Sequence, residues 1–208
     1  MCSFWENVWA ESEAKDYKKY INLGSNYKFI DIFKENNISH VCDAACGFGK
    51  YSAICSSNSF KVSGFDISER SVDLTKTMLE DLNLQVGSYI VCSITDIKYE
   101  DECFDGVIAH AVIDHLTFQE ANNALNELFR ITKKNGLIYL SFDGFEDEDK
   151  RFRYEVLEDG SFKYIDEARR GMIFRYYTND EILTFIKDRN LLYFYAKLNG
   201  EREVILRK

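Results

Sequence analysis

The feature that most constrains the fold is an alternation. The runs "HVCDAA", "FKVSGFDI", "VGSYIVCSI", "CFDGVIAHAV" and "LIYLSF" are short, apolar and rich in β-branched and aromatic residues, as strands are. Most are separated by segments with helical spacing: about 50–57, then "ERSVDLTKTMLEDLNL" with Ser68 as its N-cap, then "FQEANNALNELFRITKK", which the Asn135-Gly136 pair is expected to stop. Alternation at this interval predicts βαβ units, and so a doubly wound α/β fold with a mostly parallel sheet. After the fifth run, "TNDEILTFIKDRN" reads as a helix capped by Thr178 and Asp180. "LLYFYAKLNGEREVILRK" then reads as two antiparallel strands around Asn199-Gly200. These bring the expected sheet to seven strands, the last antiparallel.

Two segments lie outside this pattern. Residues 1–36 read as a helical cover that includes the amphipathic run "NYKFIDIFKENN". Residues 143–175 form an insertion, and "FRYEVLEDGSFKYI" predicts a β-hairpin around Asp159-Gly160. With no internal repeat and no low-complexity linker, a single domain over 1–208 is expected.

Charge and cysteine usage narrow the function classes. The formal net charge is -9, which disfavours nucleic acid as a partner, and the basic clusters "ITKKNG" and "EARRGM" are short. No run approaches the ~20 apolar residues that cross a bilayer, so no membrane partner is expected. The first residues lack a basic region followed by an apolar one, so no signal peptide is expected and a cytoplasmic location is. Six cysteines occur without a CxxC pair. Cys42 and Cys46 flank a glycine loop but read as small buried residues rather than ligands, so no metal is expected.

That loop, "DAACGFGKYS", follows the first strand, at the edge of such a sheet where ligands bind. Gly47 and Gly49 permit a close backbone approach. The pattern is not a phosphate cradle: GxxxxGK[ST] is absent, and Ser52 stands where a dinucleotide fingerprint has its third glycine. A nicotinamide-dependent oxidoreductase is therefore disfavoured. Asp43 before the loop suits a ligand with positive charge or with amine or hydroxyl donors. Asp66 ends the second strand, where an acid accepts from ribose hydroxyls. Asp96 follows the third, within reach of an adenine amine, with Ile67 and Ile97 to sandwich a base.

Taken together, "VCDAACGFGKYS", "VSGFDIS", "CSITDI", "FDGVIAHAVIDHL" and "RITKKNGLIYLSF" resemble the class I S-adenosylmethionine-dependent methyltransferases, closely over 38–142 and in outline over 176–208. The resemblance implies the seven-stranded sheet above, S-adenosylmethionine as cofactor and S-adenosylhomocysteine as product. It implies that Asp43, Ala45, Gly47 and Gly49 shape the pocket for the methionine moiety. Asp66 would hold the ribose, Ile67 pack on adenine, and Asp96 and Ile97 bind the adenine edge. His110 would meet the amino acid end of the cofactor or face the acceptor, and Tyr20 would touch the cofactor's carboxylate. Ala45 departs from the family, which has glycine there; alanine is expected to fit with a negative φ.

The reaction implied is methyl transfer to an O or N atom of a small-molecule acceptor. His110 and His115 are the candidate catalytic residues, because histidine takes a proton near neutral pH. Asp114, between them in sequence, reads as a turn residue. The insertion is expected to wall the acceptor site, with Tyr154, Arg175 and Tyr176 as contacts. A non-catalytic S-adenosylmethionine-binding protein of the same fold is the alternative, and methylation of a metalloid ranks last. Monomer and homodimer are both compatible with the sequence.

Overall fold

The computed structural model describes residues 4–10, 12–19, 21, 23, 27–144 and 151–208. Its frame is a seven-stranded sheet in the order β3-β2-β1-β4-β5-β10-β9. The strands are β1 (His40–Ala44), β2 (Lys61–Asp66), β3 (Tyr89–Val91), β4 (Phe104–Ala109), β5 (Thr132–Phe142), β9 (Asn190–Ala196) and β10 (Arg202–Arg207). β1 pairs in parallel with β2 and β4, and so do β2 with β3 and β4 with β5. β10 is antiparallel to both its neighbours, β5 and β9. The sheet is the one expected from the sequence.

Successive strand residues point to opposite faces, and here both faces are covered. Cys42, Val107, Ile138 and Val204 pack on one side with Leu125 and Leu128 of α5 (Phe118–Ile131) and Ile182 of α6 (Asn179–Phe185). Val41, Ile108, Tyr139 and Ile205 pack on the other with Phe29 and Phe33 of α2 (Lys28–Glu35) and Ile54 of α3 (Lys50–Ser57). Double burial explains why the strands read as continuous apolar runs. α4 (Glu69–Asp81) starts at Ser68, whose side chain accepts from Ser71 N–H as expected of a cap.

Four local expectations need correction. α5 ends at Ile131, and "TKKNG" belongs to β5. Asn135 N–H donates to Lys208 O (3.0 Å) and Lys208 N–H to Gly136 O (3.0 Å), so tertiary pairing overrides the helix-stop signal. β3 is only three residues long, and the chain leaves the sheet at Cys92. The box that caps α6 joins Thr178 to Glu181, not Asp180, because only the third helical residue can reach back. The insertion is more than a hairpin: β6 (Tyr154–Val156), β7 (Phe162–Tyr164) and β8 (Ile173–Phe174) form a three-stranded antiparallel sheet. It buries its own aromatic cluster around Tyr164, Met172 and Phe174. The α1 helix (Phe4–Ala10) packs against α4.

Candidate functional site

The strand order reverses between β1 and β4, and a cavity of about 150 Å³ opens beyond the carboxyl ends of the strands there. Its walls come from four strand tips: Ala45 and Gly47 after β1, Phe65, Asp66 and Ile67 at the end of β2, Cys92, Ser93 and Ile94 after β3, and Ala111, Val112, His115 and Leu116 after β4. Trp5 and Trp9 of α1, one helical turn apart, complete it.

Two carboxylates organise the glycine loop from below. The Asp43 carboxylate is buried and accepts from Ser52 N–H (2.9 Å) and Ser52 Oγ (2.6 Å), pinning the first turn of α3 to the end of β1. Burial pushes its carboxyl up to about 7, against the pull of the two Ser52 donors. Asp43 therefore does not line the cavity, which corrects the expectation that it faces a ligand. Asp66 does line it: one oxygen accepts from Gly47 N–H (2.9 Å), the other from Ser68 N–H (3.0 Å). Burial raises its carboxyl too, opposed by those backbone donors. The Gly47 carbonyl accepts in turn from Ser71 Oγ (2.7 Å) and Thr75 Oγ1 (2.9 Å) of α4.

The two glycines do different work. Gly47 has φ +54°, and a Cβ there would lie 3.2 Å from the Trp9 ring. Gly49, at φ +77°, is the N-cap of α3, and a Cβ would come within 2.6 Å of Met78 Cε. Gly49 thus brings α3 against α4 and does not line the cavity. Ala45 has φ +57°, not the negative value expected, and Ala111 has φ +49°. Two non-glycine residues in the left-handed region, at the tips of neighbouring strands, both face the cavity, at a cost of about 1 kcal/mol each.

Other expected contacts fall elsewhere. Asp96 is exposed and pairs with Lys98 (2.5 Å), while Ile97 is buried in the core; neither lines the cavity. β3 ends at Val91, so Cys92, Ser93 and Ile94 occupy the rim instead. His110 stacks on Tyr51 (centroids 4.3 Å apart), with Nε2 3.7 Å from Glu201, and lines neither this cavity nor the next. Arg175 is a structural clamp: it donates to the Asp159 carbonyl, lies 3.7 Å from Glu181 and rests on the Phe118 and Tyr177 rings. Tyr176 lies under the Arg202 guanidinium, and Tyr154 packs on Phe162 and Tyr164 inside the insertion. Tyr20 lies outside the described residues.

His115 gains what His110 lacks. It sits in a 3₁₀ turn (Ile113–His115) with its ring edge-on to Trp5 (4.9 Å) and its Nδ1 3.1 Å from the Ile173 carbonyl. A carbonyl only accepts, so Nδ1 carries the hydrogen, and Nε2 is the free lone pair of the neutral ring. His115 and Trp5 line both this cavity and a second one of about 570 Å³. The second is bounded by Phe4 and Val8 of α1, Asp143 and Gly144 after β5, Arg169, Met172 and Phe174 of the insertion, and Asn199 and Glu201 of the β9–β10 turn. Sequence reasoning did not find Asp143, Ala111 or Trp5; for Trp5 and Trp9 the available signal was their spacing on one helix face.

Among the described residues no group of His, Cys, Asp and Glu is placed to hold a metal, and no helix is long and apolar enough to cross a membrane. Cys42, Cys46, Cys55, Cys92 and Cys103 are free, and burial pushes their thiols up.

Residues 42–140 match the family described as "Methyltransferase domain". Just under half of the chain is thus similar to a methyltransferase domain, and the sheet has the class I methyltransferase topology. A methyltransferase described as S-adenosylmethionine-dependent, from Methanosarcina mazei, superimposes with a TM-score of 0.72 at 22% identity over 88% of this chain and 98% of that one. A second, from Aquifex aeolicus, gives a TM-score of 0.65 at 16% identity over 95% and 99%. The rat N-terminal Xaa-Pro-Lys N-methyltransferase 1 is 27% identical over 126 residues, 58% of this chain and 56% of that protein. The match thus spans about half the length of that curated relative. Both structural neighbours are described as S-adenosylmethionine-dependent or SAM-dependent, and the first cavity has features that fit an adenosine: a buried acid at the β2 tip, apolar walls for a planar base, and a Gly47 backbone whose missing Cβ makes room for the Trp9 ring.

Proposed function

We propose that this chain transfers a methyl group from S-adenosylmethionine to an O or N atom of a small-molecule acceptor. The observation that carries the reading is the confluence of two cavities across Trp5 and His115, one built on the β1–β2 tips and one walled by the insertion. The cofactor supplies an activated methyl on a sulfonium. The chain's own residues bind, orient and exclude water, which is most of what such a transfer requires. Asp66 keeps a lone pair on each oxygen for ribose hydroxyls. Ile67 and the apolar walls hold the base, and the loop from Ala45 to Gly47 faces the methionine part. His115 stands at the junction with Nε2 able to take a proton. The relative from rat is named for methylation of nitrogen, which supports nitrogen among the acceptors.

A calorimetric titration with S-adenosylhomocysteine tests the cofactor half: binding is expected, with a clear loss in Asp66→Ala. Mass spectrometry of reactions with hydroxyl and amine acceptors tests the transfer half. No binding heat with the unaltered protein overturns the proposal.

A further inference from the structure

The second cavity combines ring faces with unbalanced negative charge. Phe4, Trp5, His115 and Phe174 run along its wall in successive contact, with centroid separations of 5.0, 4.9 and 5.7 Å. Two carboxylates, Asp143 and Glu201, share the lining with one cation, Arg169. Arg169 is engaged elsewhere, its guanidinium 4.1 Å over the Phe152 ring. Glu201 is matched as well: the His110 imidazole (3.7 Å) and the Lys197 ammonium (2.8 Å) hold its carboxyl down at about 2. Asp143 has no such partner. Among the described residues no hydrogen bond ties its carboxylate.

Beneath it lies a second acid. Asp114 is fully buried; its Oδ2 accepts from Asp143 N–H (2.7 Å), and its Oδ1 has no hydrogen-bond partner among the described residues. Burial and the Asp114 charge both push the Asp143 carboxyl up, while His115 and His110 pull it down and Glu201 adds to the rise. Two neighbouring carboxyl groups, one with an unpartnered buried oxygen and one open to a cavity, make an electrostatic environment that a bound cation relieves. Aromatic faces beside carboxylates recognise alkylammonium groups in particular, since ring quadrupole and carboxylate attract the same charge.

We propose that the acceptor is a primary or secondary amine, bound in the second cavity as its ammonium against Asp143 and the Phe4–Trp5–Phe174 wall. This rests on the methyltransferase reading above and narrows it from O or N to N. An ammonium has no lone pair to give. It passes one proton to Asp143: the N–H bond breaks, an O–H bond forms on the carboxylate, and nitrogen keeps the electron pair. The amine so formed is the nucleophile that methyl transfer needs.

The test is binding, read without cofactor. Phenethylamine, 2-phenylethanol and 3-phenylpropionate are titrated by ligand-observed NMR into the full chain. The amine is expected to bind at least about tenfold tighter than either analogue, the worth of one charge-assisted contact of roughly 1.5 kcal/mol. Asp143→Asn is expected to erase that preference and Asp143→Glu to restore part of it, with thermal unfolding as the control for folding. If the unaltered protein does not favour the amine, or if folded Asp143→Asn retains the preference, the proposal is overturned. S-adenosylhomocysteine is titrated into the same samples. Binding of it without amine preference removes only the substrate class, whereas failure to bind it removes the methyltransferase reading.

Discussion

The two cavities are built in opposite ways. The first is made mainly by residues at strand ends, with Trp5 and Trp9 of α1 completing it, and its acid, Asp66, is bonded to Gly47 and Ser68. The second is made by parts that meet only in the folded chain: α1, a 3₁₀ turn, the insertion and the β9–β10 turn. Its acid, Asp143, is left open. On the proposed function the lesson is one of division: a cofactor common to a whole fold is held by the sheet, and what differs between members is held by additions to it. The first cavity is pre-organised, while the second is specified by which side chains the additions bring.

Five variants sharpen or break this contrast. Asp66→Ala removes two charge-assisted bonds within the loop as well as the ribose acceptor, so S-adenosylhomocysteine affinity should fall roughly 100-fold by calorimetry. Asp143→Asn, on the other side, should leave that affinity unchanged; equal losses in both would erase the division. Gly47→Ala forces a Cβ towards Trp9 at φ +54° and should cost about 2 kcal/mol in urea unfolding. Asp43→Asn probes the pinned loop through pH. The carboxyl stands near 7 in the fold against 3.8 in the unfolded chain, so the native state holds its proton more tightly. That stabilisation is complete below about pH 4 and lost as pH rises through about 7. The urea midpoint should decline over this window, and Asn, which still accepts from Ser52, should flatten the decline. The smallest effect is Ala45→Gly. Relief of the positive φ outweighs the added freedom of the unfolded chain, and a gain below about 1 kcal/mol is expected.

The sheet was legible because its determinants are local: doubly buried strands show as apolar runs, and caps such as Ser68 and Thr178 show as single residues. The first cavity was legible for the same reason at Gly47 and Asp66. It was misread at Asp96, because nothing in "SYIVCSITDI" marks where the chain leaves the sheet, and β3 stops at Val91. Of the two candidate histidines, only His115 lines a cavity. One residue past a strand end decides the side to which a ring turns, and here His110 turns to Tyr51 while Ala111 and Val112 take the cavity. Arg175 and Tyr176 were placed by their position at the return to the core. That position says where the backbone is, not that Arg175 N–H bonds the Asp114 carbonyl (2.7 Å) and its guanidinium closes over the insertion turn. Of the second cavity, only His115 and a wall from the insertion were legible, since its other members are far apart in sequence.

The order β5-β10-β9 has a consequence for biosynthesis. β10 follows β9 along the chain yet lies inside it, with Val204, Ile205 and Leu206 fully buried. As the polypeptide leaves the ribosome, β5 has no neighbour on that flank, and β9 has no place to dock, until Arg207 has emerged. The nascent domain therefore carries an open apolar border until β10 has emerged, and closing it joins β5 and β9 through one strand.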